Sequence, residues 1–187
     1  MRGPWHIHLS MPHILRPASP ISCFPPIADK HARVLILGSM PGKESLRAQQ
    51  YYAHPRNAFW MIMGDLFGAQ PELAYGARIA ILKTAGVAVW DVLASCTRAS
   101  SLDADIDPTT LVVNDFAAFY RAHPRIAQVF LNGAMAEKFY LKHVSFAADP
   151  KLHFQRLPSS SPAHAGMPYA QKLQHWRAIA QPLPEIE

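Results

Sequence analysis

Four short apolar segments, each stopping at a polar, glycine or proline residue, constrain this chain more than any other feature. Arg33-Val34-Leu35-Ile36-Leu37 runs into Gly38. Three later stretches repeat the form: Gly86-Val87-Ala88-Val89-Trp90-Asp91, Gln128-Val129-Phe130-Leu131-Asn132-Gly133 and His153-Phe154-Gln155-Arg156-Leu157-Pro158. Apolar, β-branched runs of this length predict strands buried on both faces, as in a parallel sheet. Between them, Phe59, Ile62, Met63, Leu66 and Phe67 recur at spacings of three and four within residues 58–67, which predicts an amphipathic helix. Residues 71–84, 109–122, 134–143 and 168–180 are further helical segments, with Pro168 suited to a first turn that needs no N–H. Strands alternating with helices predict an α/β fold, a three-layer sandwich around a central, mainly parallel four-stranded sheet.

At 187 residues and 50% hydrophobic, the chain can bury one core and is too apolar to be disordered throughout. No repeat, low-complexity tract or linker divides it. Residues 23–187 therefore read as one domain, behind a flexible leader, residues 1–22, that carries histidines and prolines and lacks the apolar core of a signal peptide. No apolar run approaches the roughly 20 residues that span a bilayer. The two cysteines, Cys23 and Cys96, make neither a disulfide framework nor a cysteine-rich metal site. The reading is a soluble, cytoplasmic protein that needs no metal. A net charge of +5 and a pI of about 9.4 permit a polyanionic partner without requiring one.

In an open parallel sheet, ligands bind at the carboxyl ends of the strands, which selects residues 38–57, 91–107, 132–133 and 158–167. The first of these loops has neither the glycine spacing of a dinucleotide fingerprint nor the Gly-Lys-Ser/Thr of a phosphate loop. Taken residue by residue, each loop also has a structural explanation. Gly38 to Gly42 reads as a tight turn, and Tyr52 as a core ring. Asn57 precedes an apolar-periodic segment, where asparagine is a favoured helix cap. Asp91 can cap a turn or pair with an arginine, and Pro158-Ser159-Ser160-Ser161-Pro162 can be a solvated turn.

Taken together, Gly38-Ser39-Met40-Pro41-Gly42 followed by Tyr52-Ala53-His54-Pro55-Arg56-Asn57-Ala58-Phe59-Trp60 resembles the first motif of the uracil-DNA glycosylase superfamily, and above all of its hypoxanthine-DNA glycosylase branch. Cys23-Phe24-Pro25-Pro26-Ile27, Gly86 to Leu93, Val129 to Ala134 and Leu157 to Ala163 are similar to further stretches of that branch in the same order, so the resemblance runs from about Phe24 to Leu183. It implies a uracil-DNA glycosylase-like fold and a monofunctional hydrolase of base excision repair. The implied activity cuts the bond between deoxyribose and a deaminated base, hypoxanthine first and uracil second. The implied protein works as a monomer on DNA, without a cofactor.

The resemblance also implies roles. A base inside a duplex must be flipped out at a cost of a few kcal/mol. Tyr52 matches the aromatic that returns about 1–3 kcal/mol by stacking on it. Gly38, Ser39 and Met40 bound the base. Asp91, which matches an asparagine in the better-known uracil glycosylases, would as an ionised carboxylate accept the ring N–H of hypoxanthine or uracil and refuse adenine and cytosine. Relatives often place Asp or Asn at the position of Met40 to orient a water. A thioether cannot do so, and in the hypoxanthine branch Asn57 matches the residue that takes over, holding a water or a substrate carbonyl. Ser159 stands where relatives carry a catalytic His or Asn, and is a weaker donor to the leaving base. Ser160, Ser161, Pro162 and Ala163 match the wedge that fills the space left by the base and pinches flanking phosphates, and His164 beside them reads as part of that wedge, as a phosphate contact or as an exposed side chain. Asn132-Gly133 matches too, in a structural role, while Lys43, Arg47 and Arg98 read as solvated charge with phosphate contact as the alternative. Cys96, with no activating base nearby, reads as buried. Because Met40 and Ser159 depart from the better-known catalytic residues, a lesion-binding protein of the same fold without turnover stays open, as does a small-molecule nucleoside enzyme.

Overall fold

The computed structural model describes residues 19–144 and 151–181. All four apolar segments are strands. β2 (Val34–Gly38), β3 (Val87–Asp91), β6 (Gln128–Asn132) and β7 (His153–Leu157) form one parallel sheet in the order β3-β2-β6-β7. Every residue of β2 and β3 is buried, which is why they read as unbroken apolar runs. β7 differs. As an edge strand it is exposed at all but Leu157, so the expectation of burial on both faces fails there, and its polar His153, Gln155 and Arg156 fit an edge.

A second, three-stranded antiparallel sheet has no counterpart in the sequence pattern. It consists of β1 (Ile21–Ser22), β4 (Leu93–Cys96) and β5 (Val112–Val113). Regular structure therefore reaches into the expected leader, because Ile21 and Ser22 pair with Cys96 and Ser95; residues 1–18 of that leader lie outside the described residues. The single helix expected over 109–122 is also replaced. Pro108–Thr110 makes a 3-10 turn, the β-branched pair Val112–Val113 extends as β5, and the Asp115 carboxylate accepts the Ala118 N–H to start helix α4 (Phe116–Ala122).

The remaining helices are α1 (Lys43–Ala48), α2 (Phe59–Phe67), α3 (Tyr75–Thr84), α5 (Ala134–His143) and α6 (Tyr169–Trp176), the last running on as a 3-10 turn, Arg177–Ala180. Pro168 caps α6 from just outside rather than standing in its first turn. The core lies between sheet and helices, around Leu35, Ile36, Leu37, Val89, Leu131, Phe59, Ile62 and Trp176. Among the described residues no helix is long and apolar enough to cross a membrane.

Candidate active site

Strand register sets the site. Gly38 at the end of β2 pairs with Asp91 at the end of β3, and Asn132 at the end of β6 pairs with Leu157 at the end of β7, so four chain segments leave the sheet side by side. Together with Tyr52, Asn57 and the serine turn they bound a cleft with about 170 Å³ of space open to a water-sized molecule. All the expected site residues line it except Ala163 and His164, which stand exposed beyond it.

Gly38 is glycine because of what faces it. A Cβ there would lie 2.3 Å from Asp91 Oδ1 and 2.9 Å from the Tyr52 hydroxyl. Both groups are enclosed, so neither has room to retreat. Gly38→Ala is expected to cost about 1–3 kcal/mol by overpacking. It should also weaken ligand binding in the cleft by at least about tenfold, each 1.4 kcal/mol being a factor of ten. Calorimetry and base-excision kinetics on the variant check this; parental values in both would contradict the geometry.

The Tyr52 ring stacks on Phe59 with centroids 4.0 Å apart and planes 20° apart, so α2 backs the ring and holds it at the cleft wall. Its backbone sits at φ 54°, a left-handed conformation costly for a bulky residue. Asn57 serves two masters. Its Oδ1 accepts the Phe59 N–H at 3.0 Å, the helix-capping role, while its Nδ2 has no protein acceptor among the described residues and belongs to the cleft. The structure thus narrows the sequence alternatives: the amide caps with its oxygen and can donate with its nitrogen.

Asp91 is 3% exposed and its Oδ2 is unpartnered. Burial, then repulsion from Asp103, pushes its carboxyl up to about 8, against an opposing pull from Arg98. Burial thus favours the protonated carboxyl in the free site, against the expectation of an ionised carboxylate. The expectation for Arg98 is corrected as well. It is no solvated cation: its side chain is 2% exposed, donates to the Pro41 carbonyl and lies 3.6 Å from Asp103, while Asp103 accepts the Ser39 hydroxyl. Ser101 and Asp103, which also line the cleft, carried no motif and were missed.

The serine turn is built as much as it is exposed. Ser160 is 1% exposed; its N–H donates to Asn132 Oδ1 at 2.8 Å, and Asn132 Nδ2 donates to its hydroxyl at 2.9 Å. Its side chain is therefore committed to the fold, which corrects its assignment to phosphate contact and bears out a structural role for Asn132. Ser159 sits against Gly133, where φ is 94° and a Cβ would stand 2.9 Å from Ser159 Cβ. The Ser159 hydroxyl accepts the Ser161 N–H, Trp176 Nε1 donates to the Pro158 carbonyl at 2.8 Å, and the buried Lys172 reaches the His164 carbonyl at 3.4 Å. The turn has a fixed shape, with Ser161, Pro162, Ala163 and His164 outermost. Cys96 is buried, as expected.

An open parallel sheet with a polar cleft, backed by an aromatic ring, at its carboxyl tips defines an α/β protein whose candidate ligand site lies at the strand ends. Residues 25–183 match the model of the uracil DNA glycosylase superfamily, and the chain belongs to that family. It is 33% identical over 142 residues to a hypoxanthine DNA glycosylase of Methanosarcina acetivorans, covering 75% of this chain and 86% of that one. It is also 33% identical over 117 residues to a hypoxanthine DNA glycosylase of Methanosarcina barkeri, covering 62% and 73%. A solution NMR structure from Methanosarcina acetivorans superposes with a TM-score of 0.70 at 28% identity, covering 87% of this chain and all of that one.

Proposed function

We propose that this chain is a monofunctional DNA glycosylase of base excision repair, acting on a deaminated base, hypoxanthine first, flipped out of DNA into the cleft. The observation that carries the reading is the convergence of Tyr52, Asp91 and Asn57 on one hollow, within a chain of the uracil DNA glycosylase superfamily. The flipped base stacks on Tyr52, whose other support is Phe59. Its ring N–H meets the buried Asp91 carboxyl. Donation to the carboxylate favours the ionised form, so binding of the base releases the Asp91 proton to solvent, and the ionised carboxylate offers no donor to the unprotonated ring nitrogen of adenine or cytosine.

As the glycosidic bond lengthens, positive charge grows on the sugar and negative charge on the base. Asn57 Nδ2 is the free donor for that negative charge, and Ser159 is a second, weaker one. Water attacks C1′, its oxygen forming the new bond; the base leaves with the electrons of the old one and takes up the proton that the attacking water gives up. Since Met40 has no polar atom to direct the water, rate comes from electrostatic stabilisation rather than from a base. Ser161, Pro162, Ala163 and His164 enter the space that the base vacates.

Labelled duplexes containing deoxyinosine or deoxyuridine, incubated with the protein and then treated with alkali, give the test. Strand breaks at the lesion, free base by chromatography, and binding that weakens steeply with salt are expected. Tight lesion binding without free base would make it a binding protein of the same fold; salt-insensitive binding would favour a small-molecule substrate.

A further inference from the structure

The Arg98–Asp103 pair lies outside every motif, in a loop with no apparent reason to enclose a buried charge. Its contacts, however, all converge on the cleft wall. Arg98 donates to the Pro41 carbonyl and so grips the Gly38-Ser39-Met40-Pro41 turn; Asp103 accepts from Ser39 in the same turn and itself lines the cleft. Arg98 Nη1 is buried without a hydrogen bond, its one counter-charge being Asp103 at 3.6 Å. A buried arginine held this loosely to a carboxylate that is itself 26% exposed contributes little net stability, since desolvation of the cation consumes most of the attraction. That leaves its placement to be explained.

Resting on the reading above, we infer that Arg98 and Asp103 are positioning residues for Asp91: they clamp the Gly38-Ser39-Met40-Pro41 turn, against whose Gly38 the Asp91 carboxyl is packed, and are its charged neighbours across that turn. The groups near Asp91 are few. Tyr52, Tyr51 and Cys23 face it from their own segments, all uncharged at neutral pH with burial raising each further, so Arg98 and Asp103 are the charged groups acting on it. They act in opposite senses. Arg98 favours the carboxylate and Asp103 opposes it.

The opposed signs make the inference testable against a merely structural role. The free-enzyme profile, kcat/KM against pH on a deoxyinosine duplex, reports the essential groups of the unliganded site. Its rising limb near pH 8 should move to higher pH in Arg98→Met and to lower pH in Asp103→Asn, each by about half a unit or more. Arg98→Lys keeps the charge but loses the planar fork on Pro41; it should lower kcat several-fold and leave the limb in place. Limbs that shift in the same direction, or not at all, overturn the inference. The Asp91 carboxyl can also be titrated directly by carbon-13 NMR without substrate. Should Arg98→Met not fold, an Asp91 titration unmoved in Asp103→Asn overturns it equally. If the parent releases neither base, the functional reading fails, and the same titrations still decide whether the pair governs Asp91.

Discussion

Asn57→Asp is expected to lose excision by roughly two to three orders of magnitude while melting within about 2 °C of the parent. The two results separate because the side chain has two ends with different duties. Oδ1 accepts the Phe59 N–H at 3.0 Å, and an aspartate caps a helix start as well as an asparagine does. Nδ2 belongs to the cleft, where the proposed mechanism makes it the donor for negative charge on the departing base. A carboxylate there removes the donor and sets a like charge against the leaving group. Asn57→Ala removes both ends and should lose activity together with about 1 kcal/mol of stability, a Tm drop of about 2–4 °C for a chain of this size. Single-turnover rates and thermal melts on both variants supply the check. Parental turnover in Asn57→Asp would leave the residue a cap and nothing more.

This division of labour also marks how far sequence reasoning reaches. The parallel sheet was legible because β2 and β3 are buried on both faces, and such strands have no polar positions to obscure the run. The small second sheet was not. β1 and β5 are two residues long, and β4 alternates with the half-exposed Ala94 and Ser95, so nothing distinguished them from loop. The helix expected over 109–122 failed on local chemistry that outweighs periodicity: Asp107 accepts the Thr109 N–H to close one turn, and Asp115 starts another.

Around the cleft, lining residues carried by a motif were legible in the sequence and those placed there by burial were not. Asp91, Tyr52 and Asn57 sit in recognisable strings at a strand end or a helix start. Arg98 has no such string, and an isolated arginine in a polar loop defaults to solvent; only the fold reveals that Pro41 and Asp103 enclose it. Ser160 erred in the opposite direction. One of three consecutive serines, it turns inward to Asn132, 28 positions away in the chain, a contact that spacing cannot disclose. The charge state of Asp91 was likewise hidden, since a carboxyl is ionised by default and only burial argues otherwise.

That proton predicts the largest stability effect. Asp91 is 3% exposed, and its carboxyl is raised from 3.8 to about 8, with burial the chief cause. Between those values the unfolded chain is ionised while the folded one holds the proton, so the folded state binds more protons and the parent loses stability as pH rises. Each unit is worth about 1.4 kcal/mol, so from pH 5 to pH 8 the loss attributable to this one group is on the order of 4 kcal/mol. Asp91→Asn has nothing to titrate. Its melting temperature relative to the parent should climb across that interval, and the variant should be the more stable protein at pH 8. Its excision should lose the rising limb near pH 8. Its amide presents one donor and one acceptor, an arrangement that adenine satisfies as readily as hypoxanthine, so discrimination between the two bases should shrink even where hypoxanthine release persists. Melting curves of parent and variant that run parallel from pH 5 to pH 8 would mean that Asp91 is already ionised in the folded protein, and that neither its stability cost nor its selectivity arises from burial.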